Sequence, residues 1–316
     1  MSNERRFDPL GCALAAVLLA LAAANVSLAG EANVSAGNAS PITLESLLEE
    51  MANRDALARW PAPPYLCQQA SSWDRGAVAP DKPGWFANMD TGQYLRVEAN
   101  QGRRESVMMD ALGPGCIVRW WAGGTTPQMG PPGTIRIYFD GAEAPAFEGR
   151  MDDLIDPAGP VGPPLAAVRC IGRNLYLPIP YGKRCKVTYD RPPLDQMGNE
   201  ANRHWYVINY RTYPAGTAVR TFTLDDLKNA RPALDRIGQR LLTPSNEPLE
   251  GAAWIAPQRR RLERGQSLAQ TIDGARAIRR LSVQLGGADM AKALRSTVLV
   301  VTCDGAWLRG KVVPLK

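Results

Sequence analysis

The sequence predicts an all-β fold, a jelly roll or related sandwich, carried behind one N-terminal helix. Three observations point there. The 26 prolines and 29 glycines break the chain at short intervals, which favours many short strands joined by tight turns. From Gln93 onward apolar residues alternate along the chain, the strand period, instead of returning at helical spacing. The connections between these segments are too short to carry crossover helices, so neighbouring strands run antiparallel.

The N-terminus reads as an export signal, placing the protein outside the cytoplasm, secreted or periplasmic in a bacterial envelope. Arg5 and Arg6 give a short basic start, and Ala13 to Ala24 runs almost unbroken through alanine, leucine and valine. Ser27-Leu28-Ala29 then offers the small residues that signal peptidase prefers. The run is short for a bilayer, with a retained anchor as the competing reading. Cys12 precedes it, which does not fit a lipoprotein cleavage site. Residues 1–29 are thus a signal peptide, and residues 30–42, rich in small polar side chains, a flexible leader with no membrane segment after it.

Thr43 to Trp60 is the expected helix. Thr43 is a good N-cap, Leu44, Leu47, Leu48 and Met51 share one face, and Glu45, Glu49 and Glu50 lie towards the positive end of the dipole. Pro61, Pro63 and Pro64 end it. Strands follow around Tyr94–Val97 and Val107–Met109, then at Cys116–Ala122 and Thr134–Phe139, with Asp140-Gly141 as a hairpin turn. Further strands are expected at Asn174–Leu177, Arg184–Tyr189, His204–Tyr213 and Val219–Thr223. Residues 43–223 form the helix and first β-domain. Leu224–Leu242, with Pro232 inside, reads as a broken helix or linker. Strands at Ala277–Leu285 and Ser296–Cys303 then open a partial second β-domain within residues 224–316.

Composition and motifs exclude several functions. The net charge of +6 comes mainly from arginine, and Arg259-Arg260-Arg261 with Arg264 is the dense basic cluster. It lacks the interleaved stacking aromatics of a nucleic-acid surface and reads as a solvated face, so no nucleic-acid partner is expected. Removing the leader leaves Cys67, Cys116, Cys170, Cys185 and Cys303, none at a CxxC spacing. Cys170 and Cys185 flank a hairpin and form the one pair considered for a disulfide. His204 is the single histidine, and without a nucleophile elbow it serves packing better than catalysis. Neither metal-ligand clusters nor nucleotide-binding glycine loops occur, so neither metal nor cofactor is expected.

Carboxylates remain, and glycoside chemistry uses them in pairs. Asp74, Asp81, Asp90, Asp110, Glu98 and Glu105 qualify by type. Trp73, Trp85, Trp120 and Trp121 cluster in the same half and suit the apolar face of a sugar, or the core of a sandwich. Trp120 and Trp121 are strand neighbours, so at most one of them faces a given site.

From Pro64-Tyr65-Leu66-Cys67-Gln68-Gln69-Ala70-Ser71-Ser72-Trp73-Asp74-Arg75 the sequence resembles the bacterial proteins first catalogued as domain of unknown function 2961, now glycoside hydrolase family 172. Trp85-Phe86-Ala87-Asn88-Met89-Asp90 agrees, as does Asp110 with Gly113-Pro114-Gly115-Cys116-Ile117-Val118-Arg119-Trp120. Ile135 to Gly141, Leu177 to Tyr181 and Ile208 to Thr212 follow in the same order. The resemblance implies two jelly rolls per subunit, assembly through homotrimers, and retaining hydrolysis of α-D-fructofuranosides or α-D-arabinofuranosides by two glutamates. It places Trp73, Asp74, Arg75, Asn88, Asp90 and Trp120 as substrate-binding candidates. Asp74 would accept hydrogen bonds from ring hydroxyls, and Arg75 would orient a carboxylate or hydroxyl. Trp73 stands where a tyrosine or similar aromatic is expected. After Thr302-Cys303-Asp304-Gly305 the similarity stops, so the resemblance puts both catalytic glutamates beyond Lys316 and leaves the second jelly roll incomplete.

Three readings stay open on this basis. The chain is a furanosidase relative that is inactive as written, a carbohydrate-binding protein without turnover, or a structural jelly-roll module of an oligomer.

Overall fold

The computed structural model describes residues 40–123, 133–170, 172–190, 205–243, 251–303 and 306–307. The expected signal peptide and His204 lie outside them. Among the described residues, no helix is long and apolar enough to cross a membrane.

Thr43 does cap the first helix, α1 (Leu44–Ala52), and its hydroxyl accepts from the Ser46 N–H while the Ser46 hydroxyl accepts from the Thr43 N–H. The helix stops earlier than Pro61. Asn53 takes the Ala56 N–H on its side-chain oxygen at 3.3 Å and turns Arg54–Ala58 into a tighter 3-10 turn. Leu44, Leu47 and Leu48 are buried, as their spacing required, and full burial of a leucine stabilises by about 1.5–3 kcal/mol.

Two antiparallel sheets follow. Their strands are β1 (Leu66–Ser71), β2 (Arg96–Asn100), β3 (Arg103–Leu112), β4 (Gly115–Gly123), β5 (Thr134–Phe139) and β6 (Phe147–Arg150). After a short helix α2 (Met151–Ile155) come β7 (Ala166–Arg169), β8 (Gly172–Leu175), β9 (Ile179–Tyr181), β10 (Arg184–Asp190) and β11 (Trp205–Thr212). The first sheet runs β1-β11-β4-β8-β7, with β9 also paired to β4; the second runs β2-β3-β10-β5-β6. One apolar cluster fills the space between them. Trp120, Ile117, Tyr206 and Ile208 enter it from the first sheet, and Met109, Ile135, Val187 and Tyr189 from the second. The molecule is therefore a β-sandwich.

Two glycines are fixed by geometry. Asp140 and Gly141 both have positive φ (57° and 88°), the turn that the dipeptide announced. A Cβ on Gly115 would stand 2.4 Å from the Tyr181 ring and 2.7 Å from the Arg211 carbonyl, so only glycine lets β4 pass between β9 and β11.

Leu224–Leu242 is a broken helix, α3 (Leu224–Asn229) and α4 (Arg231–Leu242), with Pro232 in the first turn of the second piece, where its missing N–H costs nothing. Ala233, Leu234 and Ile237 bring α4 against α1 and into the same core. Val219–Thr223 is not a strand: Val219 makes a lone bridge to Ile42. The second run of expected strands also differs. Ala277–Leu285 pairs with no strand, α5 (Met290–Ser296) takes part of the next segment, and β12 (Thr302–Cys303) with β13 (Ala306–Trp307) forms a minimal hairpin. Strands need partners to satisfy their backbone groups, and among the described residues no neighbour is offered here. Cys170 is exposed at a turn while Cys185 is buried in β10, and both are free thiols, so the considered disulfide is not formed.

Candidate functional site

β1 ends at Ser71, and the chain then makes a loop to residue 95 before β2. Two aspartates clasp it. The Asp74 N–H donates to Asp90 Oδ1 at 2.7 Å, and the Met89 N–H returns to Asp74 Oδ2 at 2.9 Å. The other Asp74 oxygen accepts from the Gly76 N–H at 2.9 Å. These amide hydrogen bonds, Gly76 first and Met89 second, hold the Asp74 carboxyl below its ordinary value. Both oxygens of Asp74 thus serve the backbone of its own loop.

The clasp sits on an aromatic stack between the sheets. Tyr94, next to β2, lies nearly parallel to Tyr206 of β11 (5.9 Å) and to Tyr189 of β10 (6.2 Å). The Tyr206 hydroxyl donates to the Gln93 carbonyl at 3.0 Å, and burial pushes its pKa up to about 12, so it stays neutral. At the loop base the Ser72 hydroxyl accepts the Tyr206 N–H at 3.0 Å.

Three of the side chains that the loop leaves to solvent are aromatic. Trp73 is 50% exposed, with the Arg75 guanidinium 5.6 Å over its ring. Arg75 also reaches the Ser71 carbonyl at 3.3 Å. Trp85 and Phe86 are exposed and touch at 5.4 Å, and Asn88 is exposed between Phe86 and the clasp. Trp73, Asp74, Arg75, Asn88 and Asp90 thus meet in one loop. Trp120 does not join them. It is fully buried between the sheets, because strand alternation turns it inward and Trp121 outward.

The remaining carboxylates lie elsewhere. Glu98 and Glu105 stand opposite each other on β2 and β3, and glycoside chemistry uses carboxylates in pairs. Their surroundings hold both as ionised partners of cations and hydroxyls. Glu105 has no exposed surface and is held by the hydroxyls of Thr188 (2.7 Å) and Tyr138 (2.9 Å) and by Arg103 (3.1 Å). Burial would raise its pKa, but these partners bring it below the ordinary value. Lys186, at 2.9 Å, and Arg96 hold Glu98 down. Burial of Asp110 is likewise outweighed by Arg184, at 2.7 Å, and Arg96, and its pKa falls. A general acid needs a raised pKa. Asp152 is shifted upward by burial, but it shares Arg173 with Asp156, and the shallow pocket beside it has no aromatic lining.

Residues 63–230, more than half of the chain, match the family described as GH172 first beta-sandwich domain. The chain belongs to glycoside hydrolase family 172. No curated protein matches it. The GH172 match spans β1 to α3 and includes the whole clasped loop.

Sequence reasoning missed a second feature of this GH172 sandwich. On the outer face of the first sheet, Gln69, Asn209 and Arg119 align across β1, β11 and β4, and Asn174 of β8 completes the row. Asn209 donates to Gln69 at 3.3 Å, while Arg119 donates to Asn209 at 3.3 Å and to Asn174 at 3.2 Å. The signal was available, since Arg119 and Trp121 are two apart on a strand and so share a side.

Proposed function

We propose that this chain supplies the glycan-binding sandwich of an exported, carbohydrate-active protein whose ligand carries furanose residues, and that it binds without hydrolysing. The observation that carries this reading is the pairing of rigid, exposed aromatics with carboxylates already committed elsewhere. Trp73, Trp85 and Phe86 offer flat apolar surface on a loop that the Asp74–Asp90 clasp and the tyrosine stack hold in place. A preordered aromatic surface loses little entropy on binding, which suits weakly held sugars. Family membership supports a carbohydrate as the ligand. The furanose preference, homotrimeric assembly and the two-glutamate retaining mechanism come from the resemblance read in the sequence, with the glutamates outside the described residues.

Titration with arabinofuranosyl and fructofuranosyl oligosaccharides, together with an assay for released furanose, tests it. Binding without release is the expected result. Release of sugar would overturn the non-catalytic reading, and absence of any binding would leave the structural-module reading instead.

A further inference from the structure

The row on the outer face of the first sheet holds a guanidinium without a counter-charge. Arg119 is half-buried, and both of its partners, Asn209 and Asn174, are neutral amides. They fix the plane of the group and leave its charge uncompensated. The other arginines that the two sheets keep from full exposure behave differently. Arg103, Arg136, Arg173, Arg184 and Arg211 each reach a carboxylate oxygen at 2.7 to 3.1 Å. Among the described residues, Arg119 reaches none.

Withdrawing a cation partly from water is costly unless an opposite charge meets it, so this position favours an anion. The planar fork matches a carboxylate, which accepts two parallel hydrogen bonds from it. The surroundings narrow the anion further. The Tyr176 ring lies 5.9 Å from the guanidinium, and Trp121 shares the face two residues along β4. A Cβ on Gly172 would stand 2.1 Å from Trp121 Nε1, so the glycine gives the indole its place across β8. Amides that both donate and accept suit hydroxyls, and indole suits the apolar side of a sugar ring.

We propose that this row binds an acidic sugar, a uronic-acid residue of a glycan. Its carboxylate rests on Arg119, its hydroxyls on Asn209 and Gln69, and its ring lies against Trp121. The inference rests on the carbohydrate reading above and adds to it a charge requirement and a second surface.

Calorimetric titration of the full chain with three probes tests it: a trisaccharide ending in glucuronic acid, its glucose-ended analogue, and an arabinofuranosyl oligosaccharide. The acidic trisaccharide is expected to bind more tightly than the neutral one, and less so as salt rises. Arg119→Gln should weaken it roughly ten- to a hundredfold, the range for hydrogen bonds to a charged group, and leave arabinofuranosyl binding unchanged. Arg119→Lys, which keeps the charge and loses the fork, should fall between the two. Equal binding of the acidic and neutral trisaccharides would overturn the proposal while arabinofuranosyl binding still upheld the broader reading. A drop in oligomer mass on Arg119→Gln, with glucuronide binding unmoved, would also overturn it and give Arg119 to a partner subunit. Failure of all three probes would remove both readings.

Discussion

Asp74 and Glu105 are both carboxylates held below their ordinary pKa, yet they do different work. Asp74 is a loop clasp near solvent, bonded to the amides of Gly76 and Met89. Asp74→Ala removes both bonds, and the expected outcome is faster proteolytic cutting between residues 75 and 90, with glycan binding weakened because the loop loosens. Equal cutting of the two proteins would leave the clasp without a role. Glu105 is a buried anchor. Its carboxylate joins β3 to Thr188 of β10 and Tyr138 of β5, beside Arg103 and Arg136. Glu105→Gln keeps the shape and removes the charge, taking from Arg103 its carboxylate while Arg136 keeps Glu148, and a loss of about 3 kcal/mol is expected in urea unfolding. The pH dependence follows from the sign of the shift. A group whose pKa is lower folded than unfolded stabilises above the unfolded value, near 4.3 for glutamate, and loses that contribution as pH falls through the folded one. Native protein should therefore lose stability below about pH 4 more steeply than Glu105→Gln. Parallel acid profiles would mean that folding does not lower the Glu105 pKa.

At the scale of elements, β4 turns its two tryptophans to opposite faces. Trp120 points into the core and Trp121 away from it, on adjacent residues of one strand. Trp120→Ala should lower stability by about 3–5 kcal/mol, the cost of emptying a large aromatic site. Trp73→Ala, on the exposed loop, should leave the melting temperature near its original value and weaken glycan binding about tenfold. Reversed results would return Trp120 to the site and Trp73 to the core. Strands β5 and β1 show what was legible in the sequence and what was not. Thr134–Phe139 and Asp140-Gly141 were readable because alternation and turn chemistry are local. Leu66–Ser71 was missed as a strand: Leu-Cys-Gln-Gln-Ala-Ser has no apolar alternation, since an edge strand buries little. The gathering of Trp73, Asp74, Arg75, Asn88 and Asp90 was legible through family resemblance. That Asp74 serves its own loop was not, because backbone amides leave no mark in a side-chain pattern.

At the scale of the whole molecule, the sandwich and the segment after it differ in what holds them. The sandwich closes through pairings distant in sequence, β1 with β11 and β3 with β10, sealed by α1 against α4. Residues 251–301 have α5 and few anchors, such as Arg279 on Asp55, while Ile278, Leu281, Val298 and Val300 stay exposed. Local opening free energy tracks buried apolar contacts, so this segment should open far more readily than the sheets. Trypsin has exposed sites at Arg259, Arg260, Arg261 and Arg264. Brief digestion should cut there first and leave a resistant fragment that contains α1 through α4, detected by mass spectrometry. That fragment should keep the unfolding transition of the full chain, because Leu48, Trp120 and Ile237 lie in one core to which residues beyond 243 contribute none of the buried apolar side chains described. A fragment that unfolds at much lower temperature would show that the later segment packs on the sandwich. Its exposed valines and leucines would then be a covered surface, and the two parts one cooperative unit.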